Sequence, residues 1–212
     1  MKDLTKRASR SDGLQSRETI LNAAARLATV EGLEGMSIGR LAEYIGMSKS
    51  GLYAHFGSKE ELQLATVETA SEIFQDEVIR PTENIADPIA RLEALADAFL
   101  GHLERNVFPG GCFFVSAIAE FDTRPGPVLQ AVDEVIVRWF TMFSELVRRA
   151  QQAGTLSSNE DPEQLAWELD AFLLMGNMGW VTNKDPQPLR RASAAFRARL
   201  ALARTTITAT AR

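Results

Sequence analysis

The stretch that most constrains this chain runs from Ser37 to Leu62, SIGRLAEYIGMSKSGLYAHFGSKEEL. It reads as two short helices about a tight turn, followed at once by the start of a third. Ser37 suits an N-cap, because its hydroxyl can accept an orphan amide two or three residues on. Ile38, Leu41, Ala42 and Ile45 recur at i, i+3, i+4 and i+7, the single apolar stripe of an amphipathic helix. Gly46 falls where the chain must reverse, a place that often needs positive φ. Ser48 can cap a second helix whose inward side is Leu52 and Phe56. Lys49, Ser50, Gly51, Tyr53 and His55 are then left outward. The pattern predicts a helix-turn-helix whose second helix is shaped for a DNA major groove.

Each outward residue has chemistry suited to that place. Lys49 and Ser50, at a helix N-terminus, can reach base edges or phosphates. Gly51 carries no side chain, so the backbone can approach a duplex closely. Tyr53 and His55 can donate to phosphate oxygens, contacts that orient a protein without reading sequence. Gly57 ends the helix, and Ser58-Lys59-Glu60-Glu61 has the form of a capping box. Lys59 in that first turn opposes the helix dipole, which a nearby phosphate would explain. With the cap serines Ser37 and Ser48, these residues make up the candidate DNA-binding set.

The run Ala42-x-x-x-Gly46-Met47-Ser48-x-x-x-Leu52-Tyr53-x-His55-Phe56-x-Ser58-Lys59-x-x-Leu62 resembles the DNA-binding domain of the tetracycline-repressor (TetR) family. Arg17-Glu18-x-Ile20-Leu21-x-Ala23-Ala24 and Gly32 match it as well, and Leu27 stands where the family often has phenylalanine. The specific part of the resemblance covers residues 14 to 63. It implies a dimeric repressor whose second, diverse helical domain binds a small molecule.

Charge agrees once the chain is divided. The net charge is −5, yet residues 1–59 hold nine Lys/Arg against six Asp/Glu, and the acidic excess lies in residues 60–212. The basic part would face DNA and the acidic part would be repelled by it. This gives the expected domains: 1–59 as a helix-turn-helix head, 60–212 as a body for effector binding and dimerisation. Lys2, Lys6, Arg7 and Arg10 could form an arm reaching a minor groove, or simply a solubilising tail. No run of about 18 apolar residues predicts a membrane span. The polar start has no apolar core of a secretory signal, and the single cysteine, Cys112, excludes an internal disulfide. A cytoplasmic protein is expected.

The whole chain reads as all-α, about nine helices. A first helix is expected over Ser16–Val30, and a fourth from Ser58 to about Ile79, ending before Pro81. Asp87-Pro88 and Asp161-Pro162 are cap-plus-proline starts for the fifth and eighth helices. Pro109-Gly110-Gly111 breaks the chain before an almost wholly apolar segment, Cys112–Phe121. Val128, Val132, Val135, Ile136, Trp139, Phe143, Leu146, Val147 and Ala150 stripe a long helix reaching Gly154. Ala171–Trp180, AFLLMGNMGW, is apolar nearly all round and so must be covered on both sides. Helices eight and nine of two chains would then form a four-helix bundle, as the resemblance implies. The expected dimer residues are Phe172, Gly176, Gly179, Trp180, Phe196 and Leu200.

No phosphate loop, paired metal motif or nucleophile elbow is present, so no enzyme, cofactor or metal is expected. Cys112, beside Phe113 and Phe114, reads as a buried thiol, and His102 as a hydrogen-bonded residue at the rim of the fifth helix stripe. The expected partners are an inverted-repeat operator in double-stranded DNA, a second copy of the chain and a largely apolar small-molecule effector. The candidate pocket is Phe99, His102, Leu103, Phe113, Trp139, Phe143, Trp167 and Phe172. Its aromatic content favours a ligand-controlled repressor over a ligand-independent DNA-binding regulator whose second domain only dimerises.

Overall fold

The computed structural model describes the backbone of residues 2–204 and the side chains of residues 17–204. Among the described residues it contains nine α-helices and no strand. They are α1 (Lys2–Glu31), α2 (Ile38–Ile45), α3 (Lys49–His55), α4 (Lys59–Phe74), α5 (Pro88–Glu104), α6 (Phe113–Phe121), α7 (Pro127–Gln152), α8 (Pro162–Asn183) and α9 (Gln187–Leu202). The chain forms two compact units. The first comprises Met1–Ile73 and Phe108–Asp133, and the second Phe74–Val107 and Glu134–Arg212.

In the first unit, Ile20, Leu27, Leu33, Met36, Leu41, Leu52, Phe56 and Leu62 are buried together as the core beneath the helix-turn-helix. Both expected caps form. Ser37 Oγ accepts from the Arg40 amide at 3.1 Å and Ser48 Oγ from the Gly51 amide at 3.1 Å. Gly46, at φ +71°, turns the chain by donating to the carbonyls of Ala42 and Glu43. Gly32 ends α1 at φ +85°. The amides that follow it are satisfied from α6: Leu33 N–H donates to Glu120 Oε1 at 3.2 Å and Glu34 N–H to Oε2 at 2.9 Å. The loop before α6 also abuts α1, where the Gly110 amide donates to Thr29 Oγ1 at 3.0 Å. Cys112 is buried at the start of α6, with Phe113, Phe114, Ala117 and Phe121 buried along it.

The second unit is built on α5, α7, α8 and α9. The Asp87 carboxylate caps α5 by accepting from the Ala90 amide at 2.7 Å, and Asp161 caps α8 from the Gln164 amide at 2.9 Å. The small residues of α8 are taken up within the chain. A side chain at Gly176 would meet Ala192 Cβ and Leu100, and one at Gly179 would overlap Pro188. Arg197 ties α9 to Glu93 and Asp97 of α5, and Arg199 ties it to Glu160 and Glu168.

Two element boundaries differ from the sequence expectation. Helix α1 begins at Lys2 rather than Ser16, since no proline interrupts residues 2–15 and its charged and serine-rich sequence still propagates a helix. Lys2, Lys6, Arg7 and Arg10 therefore stand on α1 and not on a separate arm; their side chains lie outside the described residues, as do residues 205–212. The fourth helix does not stay regular to Ile79. After Phe74 it widens into a π-turn over Gln75–Ile79, where Arg80 N–H donates to the Gln75 carbonyl, and then tightens into a 3-10 turn, Arg80–Thr82. Pro81 lies inside that last turn; it has no N–H to continue an α-ladder.

Candidate functional site

Helix α3, the second helix of the helix-turn-helix, is short and held at its start and along its inward side. Ser48 caps its start, and buried Leu52 and Phe56 pin its inward side. Ser37, Ser48, Lys49, Ser50, Tyr53 and Lys59 are exposed, while Gly51 and His55 are half-buried. The methylenes of Lys49 lie along Gly39 of α2. Phe56 is flanked by the His55 ring at 6.2 Å and by the Arg17 guanidinium at 5.2 Å. Tyr44 adds an exposed phenol on α2 that the sequence reading did not single out.

Lys59 has a partner that the sequence did not reveal. Its ammonium donates to Glu34 Oε1, an acid 25 residues upstream, at 3.0 Å. Hydrogen bonds from Lys59 and then Gln63 hold the Glu34 carboxyl below its usual range.

The candidate pocket residues divide. Phe99, Trp139 and Phe143 form one aromatic cluster in the second unit, with ring centroids 6.0 Å apart for Phe99–Trp139 and 4.5 Å for Trp139–Phe143. Leu103 is buried on α5. His102 is not at a rim; it is 1 % exposed and stands edge-on to Phe74, 6.1 Å away. Phe113 belongs to the first unit, where it packs on Phe108 and Phe114. Trp167 is 60 % exposed, and Phe172 is half-buried.

Two members of the cluster were missed. Phe74, the last residue of α4, lies 5.4 Å from Trp139 and 6.3 Å from Phe99. Asp170 of α8, only 6 % exposed, accepts a hydrogen bond from Trp139 Nε1 at 2.8 Å. A signal for Asp170 existed: Ala166, Asp170, Leu173, Asn177 and Trp180 recur at i, i+4, i+7, i+11 and i+14, and all are buried.

The same periodicity sorts the expected dimer residues. Gly176, Trp180, Phe196 and Leu200 are buried within the chain and Gly179 packs on Pro188, whereas Trp167, Met175, Met178 and Val181 of α8 face solvent. Trp167, Ala171, Leu174, Met178 and Val181 form a seam at i, i+4, i+7, i+11 and i+14.

Burial pushes the Asp170 carboxyl up to about 6, the Trp139 hydrogen bond partly opposing the shift, and pushes the His102 imidazole down to about 4. The two act on stability with opposite sign. Between pH 4 and 6 the folded state holds a proton on Asp170 that the unfolded chain has lost, so this contribution falls as pH rises. Over about the same window the unfolded chain protonates His102 and the folded chain does not, so that contribution is lost as pH falls. They nearly cancel. Relative to the wild type, Asp170→Asn should gain stability at pH 7, by up to about 3 kcal/mol, and lose that advantage by pH 4. His102→Gln should instead gain on the wild type as pH falls from 6.5 to 4. Urea unfolding at pH 4, 5.5 and 7 reads both; difference curves flat with pH would refute the pairing.

Comparisons with known proteins bear on both units. Residues 20–66 match the family described as bacterial regulatory proteins, tetR family, and residues 88–196 match the tetracyclin repressor-like C-terminal domain. The chain is 25 % identical over 179 residues to the HTH-type transcriptional regulator LmrA of Bacillus subtilis, covering 84 % of this chain and 93 % of LmrA. It is similar in fold to a TetR transcriptional regulator from Chloroflexus aurantiacus, with a TM-score of 0.84, 25 % identity, and coverage of 92 % and 98 % of the two chains. A further likeness is to AibR in complex with isovaleryl coenzyme A and operator DNA, with a TM-score of 0.67, 24 % identity, and coverage of 88 % and 96 %.

Proposed function

Because the chain belongs to the TetR family of transcriptional regulators and carries that family's DNA-binding N-terminal domain, we propose that it is a dimeric repressor released from its operator by a small molecule. In this reading residues 1–59 are the reading head and residues 60–212 bind the effector and dimerise. It works on DNA in the cytoplasm; among the described residues no helix is long and apolar enough to cross a membrane.

The observation that carries the proposal is the position of Phe74. It is the last residue of the helix that starts at the head, and its ring is held by Phe99, His102 and Trp139. A largely apolar effector seated among Phe74, Phe99, His102, Leu103, Trp139 and Phe143 must move Phe74, and α4 with it. The π-turn that follows, Gln75–Ile79, is the kind of helix irregularity that concentrates at functional positions. In a two-fold dimer the two α3 helices must be separated by about one DNA turn, roughly 34–36 Å, or a multiple of it. A small shift along α4 breaks that match. The AibR complex, a likeness of fold, is a case in which operator DNA and a small-molecule ligand are held together.

In the head, Lys49 and Ser50 take the base-reading role, with Ser37, Ser48, Gly51, Tyr53, His55 and Lys59 placing the backbone and contacting phosphates. Lys59→Ala tests the last of these, since its ammonium already serves Glu34. Tyr53→Phe should weaken binding to all sequences alike, and a lysine that neutralises one phosphate should lower the log–log salt slope by about 1 when replaced by alanine. An unchanged slope for Lys59→Ala removes it from the interface.

The test of control is effector affinity with and without saturating operator. Coupling of about 1–3 kcal/mol should appear, and it must be reciprocal. Equal affinities would support the alternative reading, a ligand-independent regulator whose second domain only dimerises.

A further inference from the structure

The least expected group in the second unit is the carboxylate of Asp170. It lies on the buried stripe of α8, 6 % exposed, with the indole N–H of Trp139 as its hydrogen-bond donor. Among the described residues no lysine, arginine or histidine forms an ion pair with it or offsets its burial. Holding an indole N–H requires only an acceptor, and a neutral amide would serve at far lower desolvation cost. The negative charge itself is therefore unused by the folded chain.

The surroundings indicate what would use it. Trp139 is ringed by Phe143 at 4.5 Å, Phe74 at 5.4 Å and Phe99 at 6.0 Å, so the carboxylate's own hydrogen-bond donor is surrounded by three other aromatic rings. Aromatic faces carry partial negative charge and attract cations, most strongly where water is excluded. His102, its ring edge-on to Phe74 at 6.1 Å, stays neutral at physiological pH and adds no competing positive charge. An anionic ligand would meet the Asp170 charge unscreened, and a wholly apolar one would gain nothing from it.

We propose that the aromatic cluster around Trp139 is the seat of an organic cation, an apolar or aromatic body bearing one protonated or quaternary nitrogen, with Asp170 as its counter-charge. The ammonium lies against the rings and the free side of the carboxylate while Trp139 N–H fixes the other oxygen. This names the effector class for the site of the preceding section and rests on that reading only for the consequence to DNA.

The test compares benzyltrimethylammonium with its uncharged isostere neopentylbenzene, using the full-length chain and reading affinity by isothermal titration calorimetry. The wild type should bind the cation at least tenfold more tightly than the neutral compound. Asp170→Asn, in which an amide oxygen still accepts from Trp139, should bring the two within about twofold. Trp139→Phe, which removes the indole donor but keeps a ring, should retain the preference and guards against a folding artefact in the first variant. Equal affinities in the wild type, no binding of the cation, or a preference that survives Asp170→Asn each overturn the assignment. Release of an operator duplex, selected from random DNA, separates this from the reading it extends. Asp170-dependent cation binding without release leaves the site standing and removes the control of DNA. Release by neopentylbenzene alone does the reverse.

Discussion

Replacing Gly110 with alanine is expected to destabilise the first unit by about 3 kcal/mol or more, among the largest effects of any single methyl group here. The new Cβ would overlap the carbonyl oxygen and carbon of Thr29, which are backbone atoms of α1 and cannot rotate away. The loop would have to lift, which also breaks the 3.0 Å bond from the Gly110 amide to Thr29 Oγ1. Gly126→Ala is the matched control, because nothing lies within 4 Å of the Cβ it would add; it should stay within about 0.5 kcal/mol of the wild type. Urea unfolding followed by circular dichroism measures both. A Gly110→Ala midpoint equal to that of the wild type would mean that the loop is free to move off α1.

The second large effect concerns association. If the outward seam of α8 is the dimer surface, Met178→Arg should leave each chain folded and convert dimer to monomer. A two-fold axis repeats the charge, so two losses of about 2 kcal/mol each weaken association roughly a thousandfold, and operator affinity collapses with it. Met178 is 57 % exposed within the chain, so the substitution disturbs no internal packing. A charged side chain at Gly176 is expected to behave differently. It would collide with Ala192 and Leu100 and unfold the α8–α9 packing before association is at issue. Sedimentation of Met178→Arg as a tight dimer would place the interface elsewhere.

These two positions show where the sequence was legible. The head could be read almost residue by residue, because its signals are local: two cap serines, a positive-φ glycine and one stripe at 3.6-residue spacing. The second unit gave its helix starts in the same way, through Asp87-Pro88 and Asp161-Pro162. Its faces were harder. Ala171–Trp180 is apolar all round, so periodicity alone could not say that Gly176 and Gly179 close on α9 while Met175 and Met178 stay outside. Trp167 is exposed and Phe113 packs in the other unit for a related reason: aromatic content marks buried surface without saying which surface. Asp170 and Phe74 were overlooked because their partners are distant in sequence, Trp139 being 31 residues from Asp170. The Lys59–Glu34 pair was hidden in the same way.

The carboxylate of Glu120 bears on how such a regulator is made and recombined. It closes the two amides after Gly32 from 86 and 87 residues downstream. A ribosome therefore delivers α1 to α4 long before the residue that finishes the α1–α2 turn, and the nascent head must wait for α6. For the same reason the head draws part of its hydrogen bonding from beyond residue 59. A chimaera joining it to a foreign body inherits an open turn unless the incoming α6 also brings an acid to that spot.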